Sequence, residues 1–408
     1  MPESSDPETG FVCRTFRLDS ARAIPAGVVE TVGLTFSILL ADRVFGAGIW
    51  AKASLVAIPS LGLLLSLFAV QGVRRSGLSV NAALALIFGM AAFGFMVASF
   101  AGESFEVYMV GMFFGLIGIT LNVPLFAQIY RRHYPDETRG KLFSITAFIR
   151  KIFAILGALL FGWMLTQSLE SYPWVLRIYA LACLVMIVCV LLMDRITLRR
   201  ANSVKLFDAF RHTKEDIPFR NLLISWMVLG LGNLICFSLF VEFVTNKDYG
   251  FFLSESHVSI ITTVIPESLF LIFILLWGRW FDRINFYVLR ALINLVFAAG
   301  ILFYFLGDGI WALYIGIGFH GIARAGGNVA WSLWVTKFSN AENVAEYMSV
   351  HTFLTGCRGV VAPFIAFRLA TSIGPAWVGI IGASLIFIAT CMIFPAMKES
   401  LRPSSKID

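Results

Sequence analysis

The sequence has few charged residues and no cysteine pattern. Charged residues make up 14% of the 408 residues, whereas about a quarter of a typical soluble domain is charged. The six cysteines are scattered along the chain, and no two of them have C-x-x-C spacing. This composition excludes an ordinary soluble domain, and it gives no indication of a disulfide framework or of a cysteine metal site.

Apolar residues, by contrast, are abundant. They make up 58% of the chain, and the mean hydropathy is +0.82. Runs of about 20 apolar residues, the length that crosses a bilayer as a helix, are found at 23–42, 52–72, 78–100, 107–130, 142–168, 172–193, 221–244, 257–277, 286–306, 310–337, 345–371 and 375–396. The sequence therefore predicts an all-α membrane protein with twelve transmembrane helices.

The net charge of +7 is an indication of topology, because the basic residues cluster in short connections next to the apolar runs. They are concentrated in the termini and the even-numbered connections. These parts of the chain are therefore predicted to lie on the cytoplasmic side of a plasma (inner) membrane. No nucleic-acid partner is expected. The predicted organisation is a cytoplasmic tail (1–22), a six-helix bundle (23–193), a cytoplasmic linker (194–220), a second six-helix bundle (221–396) and a cytoplasmic tail (397–408).

The chain contains an internal repeat. The stretch G-I-A-R-A-G-G-N-V-A-W-S-L-W-V begins at Gly321, and a related stretch, G-L-I-G-I-T-L-N-V, begins 206 residues earlier at Gly115. Asn328 in the later stretch corresponds to Asn122 in the earlier one. The two bundles are therefore predicted to be related halves, of which only the second carries Arg324.

Several loop motifs resemble those of the major facilitator superfamily. That family has G-x-x-x-D-R/K-x-G-x-R/K-R/K after spans two and eight, and this chain has G-R-W-F-D-R-I-N, which matches at Gly278, Asp282 and Arg283. The first-half equivalent, G-V-R-R-S-G from Gly72, has serine where the acid belongs. The segment Y-P-D-E-T-R-G-K from Tyr134 resembles the family's P-x-x-x-R-G segment. Together these similarities extend over the full length.

This resemblance implies two pseudo-symmetric six-helix bundles and solute transport by alternating access. It also implies that spans 1, 4, 7 and 10 surround a central cavity, whereas spans 3, 6, 9 and 12 face lipid. In such a protein, Gly278, Asp282 and Arg283 would form a latch that stabilises one conformation. The alternative is that Asp282 and Arg283 are solvated loop charges.

Charged residues deep in the apolar runs are candidates for the functional site, because such groups are costly in hydrocarbon. The runs that would face lipid contain none of them. Arg177 and Arg290 lie near the ends of spans 6 and 9, where we expect the side chains to reach the membrane surface. The deep charged residues are Glu30, Arg150, Lys151, Glu267, Arg324 and Arg358.

We assign predicted roles to these residues and to nearby polar ones. A buried carboxylate can bind and release protons, so Glu30 and Glu267 are candidates for proton coupling, with His320 as a relay one turn before Arg324. Because Arg150 and Lys151 are adjacent, we expect only one of them to point inward. The predicted solute-binding residues are Arg324, Arg358, Asn328, Glu267, Arg150, Trp331 and Asn122. The alternatives are structural ion pairs and, for Trp331, aromatic packing.

The sequence thus predicts a monomeric secondary transporter for a small polar solute, with a coupled proton or Na⁺ and without a cofactor or metal. The excess of deep bases favours an anionic solute. The missing G-x-x-x-x-G-K-S/T loop argues against ATP-driven transport, and the missing G-P-x-x-G-G run in span 5 argues against a drug exporter. Alternatives are a cation symporter for sugars or glycosides, a small-molecule exporter and a non-transporting sensor.

An alternative from another class is a membrane-embedded enzyme that modifies lipids. Such an enzyme would need a nucleophile or a metal site at one interface of the membrane. The five histidines are spread over several elements and form no H-E-x-x-H pair. We therefore predict that the protein is not an enzyme.

Overall fold

A computed structural model of the chain describes residues 7–135, 139–198, 208–337 and 344–400. The described residues are mainly helical, and one isolated bridge joins Ser79 to Thr197. The helices are α1 (Pro7–Thr31), α2 (Ser37–Arg43), α3 (Ile49–Ser76), α4 (Val80–Ser99), α5 (Phe105–Gly118), α6 (Val123–His133), α7 (Arg139–Gln167), α8 (Tyr172–Leu192), α9 (His212–Glu215), α10 (Ile217–Phe237), α11 (Phe240–Thr245), α12 (Glu255–Ser259), α13 (Ile265–Arg283), α14 (Phe286–Leu306), α15 (Gly309–Leu333), α16 (Val344–Ile373) and α17 (Pro375–Ser400).

Every predicted apolar run coincides with one of these helices or with consecutive helices. Two runs are interrupted by π-helical turns, at Val32–Phe36 and Ile260–Val264. Within the described parts of the chain, ten helical segments are long and apolar enough to cross a membrane. Helices α1 and α15 are not among the ten. Charged residues in α1, and glycines, His320 and Arg324 in α15, make these two helices more polar. The first and tenth predicted spans, and with them the total of twelve, therefore stay a prediction.

The chain divides into two compact units. One comprises Met1–Lys205 with Phe251–Val264, and the other comprises Leu206–Gly250 with Ile265–Asp408. In the first unit, α1 packs on α7 and α8, and α4 packs on α5 and α8. In the second unit, α13 packs on α15, α14 packs on α15 and α17, and α10 packs on α16 and α17.

The segment that begins the predicted eighth span packs within the first unit. The hydroxyl groups of Thr35 and Thr262 lie 2.6 Å apart, and those of Thr166 and Ser256 lie 2.8 Å apart. The predicted span 257–277 therefore starts in one unit and continues into the other. The predicted bundle limits at residues 193 and 221 stay predictions.

Helix α1 begins earlier than the predicted first span. It starts at Pro7, so most of the predicted tail 1–22 is helical. Two charged residues of this predicted tail are paired: Arg22 donates to Asp19 Oδ1 at 2.6 Å. The Tyr134 hydroxyl donates to Asp19 Oδ2 at 2.9 Å. Burial, with the adjacent Asp19 charge, raises the pKa of Tyr134, which keeps the phenol protonated as a donor.

Candidate solute site

Two of the predicted site residues in the second unit form a buried ion pair. Glu267 lies on α13, one residue after Pro266, and its side chain is 0% exposed. Arg324 lies on α15, and its Nη2 atom donates to Glu267 Oε1 at 2.5 Å. The Arg324 side chain is 22% exposed, so the base of this pair is partly exposed while the acid is enclosed.

A glycine contact brings the two helices of this pair close together. Gly321 lies one turn before Arg324, and a Cβ atom at this position would lie 2.7 Å from the Cα atom of Pro266. Only a residue without a side chain allows this approach. Further along the same interface, the Trp277 indole donates to the carbonyl oxygen of Ile322 at 2.9 Å. The close packing of α13 and α15 therefore places Arg324 within reach of Glu267.

The neighbours of Arg324 on α15 differ in environment. Asn328, one turn after Arg324, is exposed. His320, one turn before it, is buried between the rings of Phe240 and Phe297, whose centroids lie 4.8 Å and 5.4 Å away. In the described part of the chain, neither ring nitrogen of His320 has a hydrogen-bond partner. Its role as a proton relay stays a prediction.

Arg290 contradicts the expectation that it reaches the membrane surface. Its side chain is buried with 1% exposure, and its Cζ atom lies 3.2 Å from the ring centroid of Trp226. The indole face attracts a cation, which explains why the guanidinium turns inward. Asn294, at i+4 on the same helix face, is also buried. Polar residues at i and i+4 in an otherwise apolar helix were a signal in the sequence that this side of the helix faces inward.

Arg358 of α16 meets the same tryptophan from another side. Its Nη1 atom donates to the backbone oxygen of Trp226. Gly230 lies against the guanidinium of Arg358, and a Cβ atom at position 230 would overlap with the guanidinium carbon. Arg290 and Arg358 therefore contact the same residue, one over the ring of Trp226 and one at its backbone oxygen. The second unit thus places the buried guanidinium of Arg290 and the partly buried guanidinium of Arg358 at one tryptophan.

Aromatic rings complete this region. The ring of His351 is buried, with ring-centroid distances of 5.4 Å to Trp226, 5.3 Å to Trp334 and 5.6 Å to Trp331. Trp331, a predicted solute-binding residue, therefore belongs to the ring cluster beside Arg358. Of the predicted residues on α15 and α16, Arg324 lies at Glu267, whereas Trp331 and Arg358 lie in the region of Trp226.

In the first unit, Glu30 is paired with both basic residues of α7. Lys151 Nζ lies 2.7 Å from Glu30 Oε1, and Arg150 Nε lies 3.4 Å from Glu30 Oε2. Both adjacent bases reach this carboxylate because long side chains can approach one acid from neighbouring positions, yet only Lys151 is buried. The Lys151 side chain is 6% exposed and that of Arg150 is 41% exposed.

The remaining predicted residues lie apart from these groups. The Asn122 amide donates to the carbonyl oxygen of Ile119 at 2.7 Å in the turn between α5 and α6. Arg283 is exposed at the end of α13, and Gly278 is partly buried. The side chain of Asp282 lies outside the part of the chain that the structure describes, so the latch stays a prediction. Among the described residues, no group of three or more His, Cys, Asp or Glu side chains could hold a metal ion.

Solved transporter structures match this fold over nearly the whole chain. The nucleoside transporter NupG is 15% identical with a TM-score of 0.70, and the match covers 95% of this chain and 100% of that one. A D-xylose-proton symporter is 14% identical with a TM-score of 0.66, covering 94% and 97%. The human organic anion transporter MFSD10 is 16% identical with a TM-score of 0.63, covering 95% and 100%.

Comparison by sequence finds no matching family model and no matching curated protein. The structural matches are therefore similarities of fold at low sequence identity. They agree with the loop motifs around Gly278 and Tyr134 and with the ten apolar helical segments. The chain is a multi-pass membrane protein with the fold of the major facilitator superfamily.

Proposed function

We propose that this protein is a secondary active transporter that moves a small polar solute by alternating access, with proton coupling through Glu267. The observation that carries this proposal is the ion pair between Glu267 and Arg324 inside an apolar helix pair. Burying two charges costs free energy that hydrophobic residues of similar size would not. The similarity in fold to transporters supports a function in solute movement for this pair.

The two partners have different chemistry, which suggests how proton and solute are linked. Arginine keeps its charge at physiological pH, whereas a carboxylate can be protonated. Protonation of Glu267 removes the charge that holds Arg324 Nη2. The guanidinium is then free to bind a polar or anionic group of the solute. Deprotonation restores the pair and displaces the solute.

The fold does not identify the solute, because the similar structures are of a nucleoside transporter, a xylose symporter and an organic anion transporter. The charges of this chain favour an anion, since Arg324 is the partly exposed member of its pair. The predicted location in a plasma membrane, with both termini in the cytoplasm, is part of this proposal.

A solute screen tests the proposal. The purified protein is heated with uridine, D-xylose, succinate and phosphate at pH 5.5 and pH 7.5, and any compound that raises the melting temperature is then tested for uptake into proteoliposomes. We expect stabilisation by at least one compound, with a pH-dependent response that is lost in Glu267→Gln. If Glu267 and Arg324 only hold the helices together, Glu267→Gln will leave the pH dependence of uptake unchanged.

A further inference from the structure

The two arginines around Trp226 form a cluster of positive charge that the proposed proton coupling does not use. Arg290 lies over the indole face, and Arg358 donates to the backbone oxygen of the same residue. In the described part of the chain, none of the three guanidinium nitrogens of Arg290 has a hydrogen-bond partner, and neither does Nε of Arg358. No salt bridge among the described residues joins a carboxylate to either arginine.

A buried cation such as Arg290 without a counter-charge is unfavourable, and the partly buried Arg358 adds a second positive charge at the same tryptophan. The described carboxylates of this unit that are buried or partly buried do not supply the missing charge, because they bind other groups. These contacts are Glu267 with Arg324, Glu242 with Asn246, and Asp216 with Tyr347 and the Phe219 amide. The carboxylates that the structure describes in this unit therefore leave the two guanidinium groups without a counter-charge.

We propose that Arg290 and Arg358 bind an anionic group, a carboxylate or a phosphate, and that this site selects anions as the solutes of the protein. The binding site is assigned from the structure of the second unit alone. Its use for cargo rests on the proposed transport function. Guanidinium groups suit this role because their planar N–H donors match the geometry of carboxylate and phosphate oxygens.

The neighbouring side chains add donors. His351, Thr355 and Arg358 follow one another at i, i+4 and i+7, so they share one face of α16. Within the described residues, both ring nitrogens of His351, the hydroxyl group of Thr355 and the indole nitrogen of Trp226 also have no hydrogen-bond partner. A set of donors with few acceptors is what an anion requires.

The binding test uses the full-length protein in an uncharged detergent, at constant ionic strength with chloride as the reference anion. The probes are succinate, inorganic phosphate and succinamide, which is the uncharged analogue of succinate. We expect succinate or phosphate to raise the melting temperature saturably by a few degrees, whereas succinamide has no effect. A protein that responds to neither anion, or equally to succinamide, contradicts the proposal.

Substitutions of the two arginines test whether the anions bind at Arg290 and Arg358. Arg290→Met and Arg358→Gln should each weaken anion binding at least about tenfold in calorimetry. The control is Arg368→Gln, which changes an exposed arginine of α16 and should leave anion binding unchanged. Anion binding that persists unchanged in both site variants would overturn the assignment.

A second measurement covers the possibility that a variant does not fold. Methionine retains the packing of Arg290 on the indole but removes its charge. In chloride alone, Arg290→Met should therefore be at least as stable as the wild type. A large loss of stability would mean that the protein already compensates this charge, and the proposal would be wrong.

The source of the anion is tested with lipids. The effects of phosphatidylglycerol and phosphatidylcholine on the melting temperature are compared in mixed micelles. Stabilisation by phosphatidylglycerol without any effect of succinate or phosphate would contradict a free solute as the ligand.

Binding is measured without transport, so the two proposals can fail separately. Anion binding without uptake contradicts the transport function only, and uptake of an uncharged solute without anion binding contradicts this site only.

Discussion

Gly321 of α15 lies directly against Pro266 of α13, and a Cβ atom on Gly321 would come within 2.7 Å of both the Cα atom and the carbonyl oxygen of Pro266. This contact sets the distance between the two helices that carry Glu267 and Arg324. The smallest residue of the interface therefore controls whether the ion pair can form.

Enlarging Gly321 should separate the two helices. Gly321→Val introduces a side chain against backbone atoms that cannot easily move, which typically costs about 1–3 kcal/mol. We expect a lower melting temperature together with loss of solute uptake. Gly72→Ala is the matched control, because a Cβ there meets open space within α3. An uptake rate in Gly321→Val equal to that of the control would show that the helix spacing does not matter.

The pair between Glu267 and Arg324 should give a large coupling energy in a double-mutant cycle. Removing one partner leaves a buried charge and costs about 3–5 kcal/mol. Removing both, in Glu267→Gln with Arg324→Gln, should recover much of this loss because no unpaired charge remains. Chemical unfolding in detergent measures the four stabilities, and additive effects of the two substitutions would contradict the pairing.

Gly230→Ala tests whether the position of Arg358 matters for anion binding. The added methyl group occupies space that the Arg358 guanidinium now fills, so the guanidinium must move away from the Trp226 carbonyl. We expect weaker binding of succinate or phosphate with little change in helix content, since alanine favours helix over glycine. Calorimetry measures the affinity and circular dichroism the helix content. An unchanged affinity would show that the position of Arg358 against Gly230 does not matter for anion binding.

The two bases around Glu30 should contribute unequally to stability. Lys151 is 6% exposed and 2.7 Å from the carboxylate, whereas Arg150 is 41% exposed and 3.4 Å away. Water screens the exposed pair, so Arg150→Met should cost less than about 1 kcal/mol and Lys151→Met distinctly more. Melting temperatures of the two variants test this order, and a reversed order would contradict it.

Most of the long helices could be predicted from the sequence because they are apolar runs long enough to cross a membrane. Pairing could not be predicted in the same way. Glu267 and Arg324 were both identified by their depth, but their contact depends on the approach of α13 to α15 at Gly321, which requires the tertiary structure. Arg290 was misjudged because its distance from the helix end says nothing about which way its side chain turns.

Proton-driven uptake into proteoliposomes tests the central claim most directly. The wild type and Glu267→Gln are compared, each with an inward proton gradient and with counterflow in the absence of a gradient, using the solute identified by the thermal screen. The account predicts that the wild type accumulates solute, whereas Glu267→Gln exchanges it in counterflow but does not accumulate it. Gradient-driven accumulation by Glu267→Gln at the wild-type level would contradict the role of this carboxylate in proton coupling.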